Sequence, residues 1–456
     1  MLDRYSLWFD KKKQTLLSEF SSFLRFPSVS TDPAYREDVV RCKEWLSSYL
    51  QERGFAVETW ETTGHPTLFA SSLGAGPTRP TLLFYQHYDV QPVDPIDEWI
   101  TGPFDPTVRA GKIYARGAID NKGQCFYVIA ALAAFLEHAG TSQLNLKIVI
   151  EGEEEMGSPG FAAVLKEKKQ ELKADHVFIV DCEMPAQDQP AVTLGVRGLM
   201  SLEITCRNSA ADLHSGCFGG VVLNPARALI KALSACFDQQ GHIAVPGFYD
   251  DVRLLSAEEK TALDFDPDVK ASAAALKVGA FASEEGYSLV ESNWIRPTLE
   301  INGLESGYTG AGVKTIIPAQ ARAKLSCRLV PDQNPVVIGN LLAPFLKKKL
   351  PQGIDIEMDV RSEARAFTAA LRGETVEKAV QACEDVFQKP CRRILTGATI
   401  PIAADLAATS GGNLVLMGVG LSEDQMHAPN ESFALDRLKQ GFLVIARLLE
   451  IFAQGR

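Results

Sequence analysis

Apolar runs that stop at polar clusters, each followed by a helical pattern, recur in the first 195 residues and again after residue 365. "TLLFYQ", "LNLKIVI", "DHVFIV" and "NLVLMGVG" are short and β-rich, with no clean alternation of apolar and polar positions. That is the pattern of strands buried on both faces of a mostly parallel sheet. "CFYVIAALAAFLEHAG" predicts an intervening helix that closes on Gly140. These elements predict an α/β layer: a mixed, mostly parallel sheet with helices on both faces.

The texture changes between residues 196 and 364. "GLMSLEITCR", "RPTLEING", "ARAKLSCRLV" and "IDIEMDVRSE" predict strands, while "NPARALIKALSACF" and "PVVIGNLLAPFLKKKL" predict helices. Their order is β-α-β-β-α-β, the ferredoxin-like arrangement. The expected organisation is one α/β domain built from residues 1–195 and 365–456, interrupted by an α+β insertion over 196–364. Residues 246–296 are expected as loop and short helices at the insertion's edge.

At 456 residues the chain exceeds one compact core, which fits this division. A formal charge of −11 disfavours nucleic acid and anionic membranes as partners. No window approaches 18 consecutive apolar residues, so no membrane span is expected, and "MLDRYSLWFDKKKQTLLSEF" does not read as a secretory signal. Nine cysteines without a CxxC pair predict buried free thiols and a cytoplasmic setting.

Functional groups in an open parallel sheet gather beyond the carboxyl ends of its strands. His87 follows "LLFYQ", Glu151 to Glu155 follow "LKIVI", Asp181 follows "VFIV", and His427 follows "LVLMGVG" after a short loop; Asp120 lies in the Gly-flanked turn "GAIDNKG". Singly, each is an ordinary strand-end, helix-start or turn residue. Together they form a nitrogen and oxygen donor set suited to Zn²⁺, Mn²⁺ or Co²⁺. A metal pair requires a bridging carboxylate, for which Asp120 is the candidate. Asp89, two residues beyond His87 and on the same face, is placed to hold the ring's second nitrogen.

The segments "YQHYDVQP", "GAIDNKG", "EGEEEMGS", "VDCEMP", "DLHSG" and "MHAPNE" occur in an order that resembles the M20 family of co-catalytic metallopeptidases, especially its dipeptidase branch. The resemblance spans nearly the whole chain. It implies two divalent ions, zinc first, one held by His87, Asp120 and Asp181 and the other by Asp120, Glu155 and His427. It further implies Glu154 as general base, with Glu153 in a variable slot, and Asp89 as an auxiliary catalytic residue. His214 is implied to stabilise the oxyanion, often across a homodimer formed through the insertion, with Arg328 on the substrate carboxylate and Thr315 as another substrate contact.

One segment departs from the family. Where many dipeptidases of the branch carry "RxGGSIP", this chain has "LTGATIP", with Leu395 at the arginine position and Thr399 at the serine position. Thr399 still offers a hydroxyl. The expected activity is hydrolysis of dipeptides or similar short amides; the alternatives are removal of an N-acyl or N-carbamoyl group from amino acids, and a non-catalytic metal-binding relative.

Overall fold

The structure is a computed structural model that describes residues 2–264 and 277–454. Helices α1 (Leu2–Leu24) and α2 (Arg36–Gln51) precede strands β1 (Ala56–Trp60), β2 (Thr67–Ser72) and β3 (Thr81–His87). Helix α3 (Lys122–Ala139) leads to β4 (Asn145–Glu151), and α4 (Pro159–Glu167) to β5 (His176–Val180) and β6 (Ala191–Thr193). Four strands follow, β7 (Gly198–Arg207), β8 (Thr298–Ser306), β9 (Gln320–Leu329) and β10 (Asp355–Ala364), with α5 (Pro225–Ser234) after β7 and α6 (Pro335–Lys349) after β9. The chain then returns through α7 (Glu374–Phe387), β11 (Arg392–Ile394), α8 (Ala403–Ser410), β12 (Asn413–Met417) and α9 (Leu435–Gln454).

Eight strands form the main sheet in the order β1-β2-β4-β3-β5-β12-β6-β11. Strands β1, β3, β4, β5 and β12 run one way, and β2, β6 and β11 the other. Alternate residues of the buried strands feed two cores, as the missing polar alternation predicts. Leu82 and Phe84 of β3 pack with α1, α2, α3 and α9, whereas Leu83 and Tyr85 pack with Phe161 of α4 and Leu406 of α8.

Strands β7 to β10 form a separate four-stranded antiparallel sheet, ordered β8-β9-β7-β10. One face carries Met200, Leu202, Ile204, Leu325 and Cys327 onto Leu229 and Leu233 of α5 and Ile338 and Leu342 of α6, a third core. The alternating burial of β7 and β9 leaves the other face open.

The excursion over 246–296 differs from expectation in its attachment, and its residues 265–276 lie outside the described ones. Its short helices Ala257–Ala262 and Leu289–Trp294 are present, yet Leu263, Val290 and Trp294 join the main-sheet core and not the core of the insertion. Asp264 also accepts from Arg392 of β11 at 3.2 Å. The segment therefore ties the insertion back to the main sheet.

Candidate metal centre

Neighbouring parallel strands deliver the predicted groups to one spot. His87 ends β3 opposite Glu151, the end of β4, in register. Val180 of β5 pairs with Met417 of β12, and the Asp181 amide donates to the Met417 carbonyl at 3.0 Å. Asp120 comes from the turn ahead of α3, where Gly117 has φ +83° and a Cβ on Gly123 would lie 2.0 Å from the Ala118 carbonyl oxygen. Only glycine meets both demands without displacement, so "GAIDNKG" is a backbone requirement as well as a carboxylate source.

The result is two donor groups that share one residue: His87 with Asp120 and Asp181, and Asp120 with Glu155 and His427, the donor atoms of each lying within 4.8 Å of one another. Asp120 Oδ1 is 3.2 Å from His87 Nε2, while its Oδ2 is 2.6 Å from His427 Nε2. His427 Nε2 is also 3.4 Å from Glu155 Oε2. His87 is fully buried, whereas the His427 side chain is 51% exposed, so the site has a closed floor and an open rim.

Divalent ions fit these residues on two observations. His87 Nε2 and Glu155 Oε1 are both buried and neither makes an aligned hydrogen bond, an expensive arrangement unless a cation takes them. The donor set is also all nitrogen and oxygen, and rich in carboxylates. Burial alone would lower His87, but Asp120, Asp181 and Asp89 raise its pKa well above the ordinary value. Burial likewise opposes His427, yet Asp120 and Glu155 push it up to about 11. Burial and the charge of Asp120 raise Glu155 to about 7.

The groups around the donors hold their geometry. His87 Nδ1 faces the Asp89 carbonyl at 3.1 Å and Asp89 Oδ1 at 3.3 Å, as the two-residue spacing predicts. The Asp89 carboxylate accepts further from Ser30 Oγ and from the Glu154 and Glu155 amides, joining the His87 strand end to the glutamate turn. Glu153 is not an idle slot. Its buried carboxylate accepts from the amides of His65, Gly160 and Phe161, capping the start of α4. Left-handed backbone at Gly157 and Ser158 turns the chain there, and Ser158 Oγ donates to Glu151.

Residues 83–451 match peptidase family M20/M25/M40. The chain belongs to this family. It is 31% identical over 424 residues to the Beta-Ala-His dipeptidase of Rattus norvegicus, covering 89% of this chain and 85% of that one. It is 29% identical over 456 residues to the Cys-Gly metallodipeptidase dug1 of Schizosaccharomyces pombe, with 96% of each covered. Among solved structures, human carnosine dipeptidase 1 superposes with a TM-score of 0.86 at 28% identity, covering 100% of this chain and 99% of that one. The M20 family metallo-carboxypeptidase Sso-CP2 of Sulfolobus solfataricus gives 0.87 at 31% identity, covering 96% and 99%. The protein is a metallopeptidase, a hydrolase of peptide bonds.

The structure also reveals members of this M20 site that its sequence motifs did not single out. Gln91 Nε2 donates to Glu155 Oε2 at 2.7 Å, and Asn121 Nδ2 to Asp181 Oδ1 at 2.5 Å. Glu431, four residues past His427 within "MHAPNE", accepts from the amides of Gly117, Ile119 and Asp120 and pairs with fully buried Arg116 at 2.8 Å. It clamps the turn that presents Asp120. Glu431→Gln leaves Arg116 buried without its charge partner and is expected to cost about 3–5 kcal/mol. A denaturant midpoint unchanged from wild type would count against the clamp.

Of the predicted substrate residues, Arg328 and Thr399 meet: Arg328 Nη1 donates to Thr399 Oγ1 at 2.5 Å, and that hydroxyl donates to the Arg197 carbonyl at 2.8 Å. His214 lies on a two-strand ribbon, Leu213–His214 with Ile316–Ile317, and Thr315 directly precedes the second strand; both residues are exposed. His214 Nδ1 accepts from the Gly216 amide at 3.0 Å, a contact within its own turn. Among the described residues neither His214 nor Thr315 hydrogen-bonds to a metal donor.

Proposed function

We propose that the protein hydrolyses the amide bond of dipeptides and similar short peptides with a free carboxylate, using two divalent cations and Glu154 as general base. The Asp120 carboxylate carries this reading, since its two oxygens face one imidazole each, at 3.2 and 2.6 Å, as a bridging ligand must. His87 and Asp181 would complete one coordination set, and Glu155 and His427 the other. Zinc suits the donors best, with manganese and cobalt as further choices. The substrate class draws support from the Beta-Ala-His dipeptidase and the Cys-Gly metallodipeptidase to which the chain is similar.

When bound, the cations supply Lewis acidity to water and to the scissile carbonyl. Glu154 is half-buried, and desolvation pushes its pKa well above the carboxylate range, opposed by His87 and reinforced by Glu155, Asp181 and Asp120. Such a carboxylate takes a proton from water readily and passes it to the leaving amine. Asp89 keeps the His87 ring and the Glu154 backbone in place. Arg328 receives the substrate carboxylate, with Thr399 fixing its guanidinium and Thr315 as a further contact.

His214 serves the oxyanion from across a homodimer, in keeping with its exposed side chain and the open loop around it. The insertion, residues 196–364, acts as lid and dimerisation unit between the catalytic segments 1–195 and 365–456. Val221 and Val313, 82% and 93% exposed, offer apolar surface there. Among the described residues no helix is long and apolar enough to cross a membrane. All nine cysteines are free, which supports a reducing, cytoplasmic setting.

The test is amine release from dipeptides and from N-acyl and N-carbamoyl amino acids, with dialysed protein reloaded with Zn²⁺, Mn²⁺ or Co²⁺. Metal-dependent release from dipeptides is expected; release confined to the acylated or carbamoylated amino acids overturns the substrate class. A pH effect is also expected. With pKa values raised at His87 and His427, the cation-free site carries protons on its imidazoles at neutral pH, and cations must displace them. Apparent zinc affinity should therefore rise from about pH 6 to about pH 8, with protons released on binding. Calorimetric titration in buffers of different ionisation enthalpy reads the release directly, and none would refute the protonated site.

A further inference from the structure

The departure at "LTGATIP" removes an arginine from the loop, and the structure shows what stands in its surroundings. Leu395 is 7% exposed and belongs to the apolar cluster that includes Leu263 and Trp294. The adjacent arginines are engaged elsewhere, Arg392 with Asp264 and Arg393 with Glu377. Two other guanidiniums touch the loop. Arg328 reaches Thr399, and Arg197 donates through Nε to the Gly397 carbonyl at 2.9 Å.

Arg197 is 6% exposed and is held by a second carbonyl, that of Arg296, at 3.3 Å from Nη1. Its Nη2 has no hydrogen-bond partner among the described residues. Arg197 and Arg328 line one cleft of about 850 Å³, together with Ser326, Thr298, Asn293 and Glu300. Among the described residues no carboxylate lies within ion-pair distance of either guanidinium, and Glu300 and Glu363 act on them only from farther away. Burial, then the neighbouring charge of Arg328, lowers Arg197 to about 10. Two guanidiniums linked by carbonyls and one threonine, with no carboxylate in ion-pair contact among the described residues, make a seat for an external anion.

We propose that Arg197 acts with Arg328 as a specificity-determining residue, the pair binding the free carboxylate of the substrate in place of an arginine in the loop. The proposal rests on the peptidase reading and adds a residue to it. Nε and Nη1 of Arg197 are spent on carbonyls, leaving Nη2 for the anion, while Arg328 retains Nε and Nη2. Thr399 bolts the two together, because its hydroxyl bonds the Arg328 side chain and the Arg197 backbone at once.

The test compares kcat and KM for one dipeptide and for the same dipeptide as its C-terminal carboxamide, using the metal-loaded full chain. Wild type should favour the free acid. Arg197→Met should cut that preference roughly ten- to hundredfold, through KM for the acid, with carboxamide kinetics little changed. An acid-to-amide ratio equal to wild type overturns the proposal. Should Arg197→Met fail to fold, as loss of carboxamide turnover and of the thermal transition would show, Arg197→Lys decides. It keeps the charge but not the fork, and should raise KM for the acid alone; no rise overturns the proposal. A wild type that cleaves acid and amide equally removes the carboxylate seat and leaves the peptidase reading standing, whereas one that cleaves neither removes both.

Discussion

Glu154→Gln is expected to lower kcat by roughly 10²- to 10⁴-fold while metal content and thermal stability stay close to wild type. The amide keeps the size of the carboxylate and its place on the turn, whose backbone is held by Asp89 through the amides of residues 154 and 155. It cannot accept a proton from water. Glu154 belongs to neither donor group, so metal uptake gives a control that a ligand substitution would fail. Two comparisons sharpen the result. Glu155→Gln should lose metal as well as turnover, and Glu153→Gln should weaken the cap on α4, lowering stability before activity. Elemental analysis, a thermal transition and steady-state rates on the three variants separate base, ligand and cap. Wild-type turnover in Glu154→Gln would remove the base assignment.

That three adjacent glutamates face different surroundings, Glu153 the start of α4, Glu155 a donor group and Glu154 neither, marks the limit of what the sequence shows. His87 and Asp181 were legible because they end or directly follow strands buried on both faces, which betray themselves by missing alternation, whereas Asp120, Glu155 and His427 come from turns and loops beyond such strands. His87 and Asp89 were legible as a pair from their spacing alone. Glu153 was not, because its partners, the amides of His65, Gly160 and Phe161, are brought together only by the fold. A carboxylate ahead of Ser158 and Pro159, at a helix start, was the available signal. Glu431 was hidden for the same reason, since it lies more than 300 residues from the turn it clamps. The excursion over 246–296 reads as short amphipathic pieces, and nothing in its periodicity says whether Leu263 and Trp294 cover the insertion or the main core. The ferredoxin-like order, by contrast, follows from strands whose alternation is plain.

Asp120→Asn is expected to remove both cations at once. Its two carboxylate oxygens face different imidazoles, and among the described residues no other donor belongs to both groups. His427→Ala takes away one donor of one group and leaves His87, Asp120 and Asp181 intact. The expected zinc content is therefore close to none for Asp120→Asn and about one equivalent for His427→Ala, against about two for wild type. Stability gives an independent reading. At a free zinc concentration about a hundred times Kd, each site adds about 2.7 kcal/mol to the folded state. The thermal transition of wild type should then rise on reloading after chelation, that of His427→Ala by less, and that of Asp120→Asn hardly at all. Turnover should return with zinc only in wild type. If Asp120→Asn keeps two equivalents and the full thermal gain, Asp120 does not bridge, and the shared carboxylate seen between His87 and His427 is a hydrogen-bonded contact of the cation-free site.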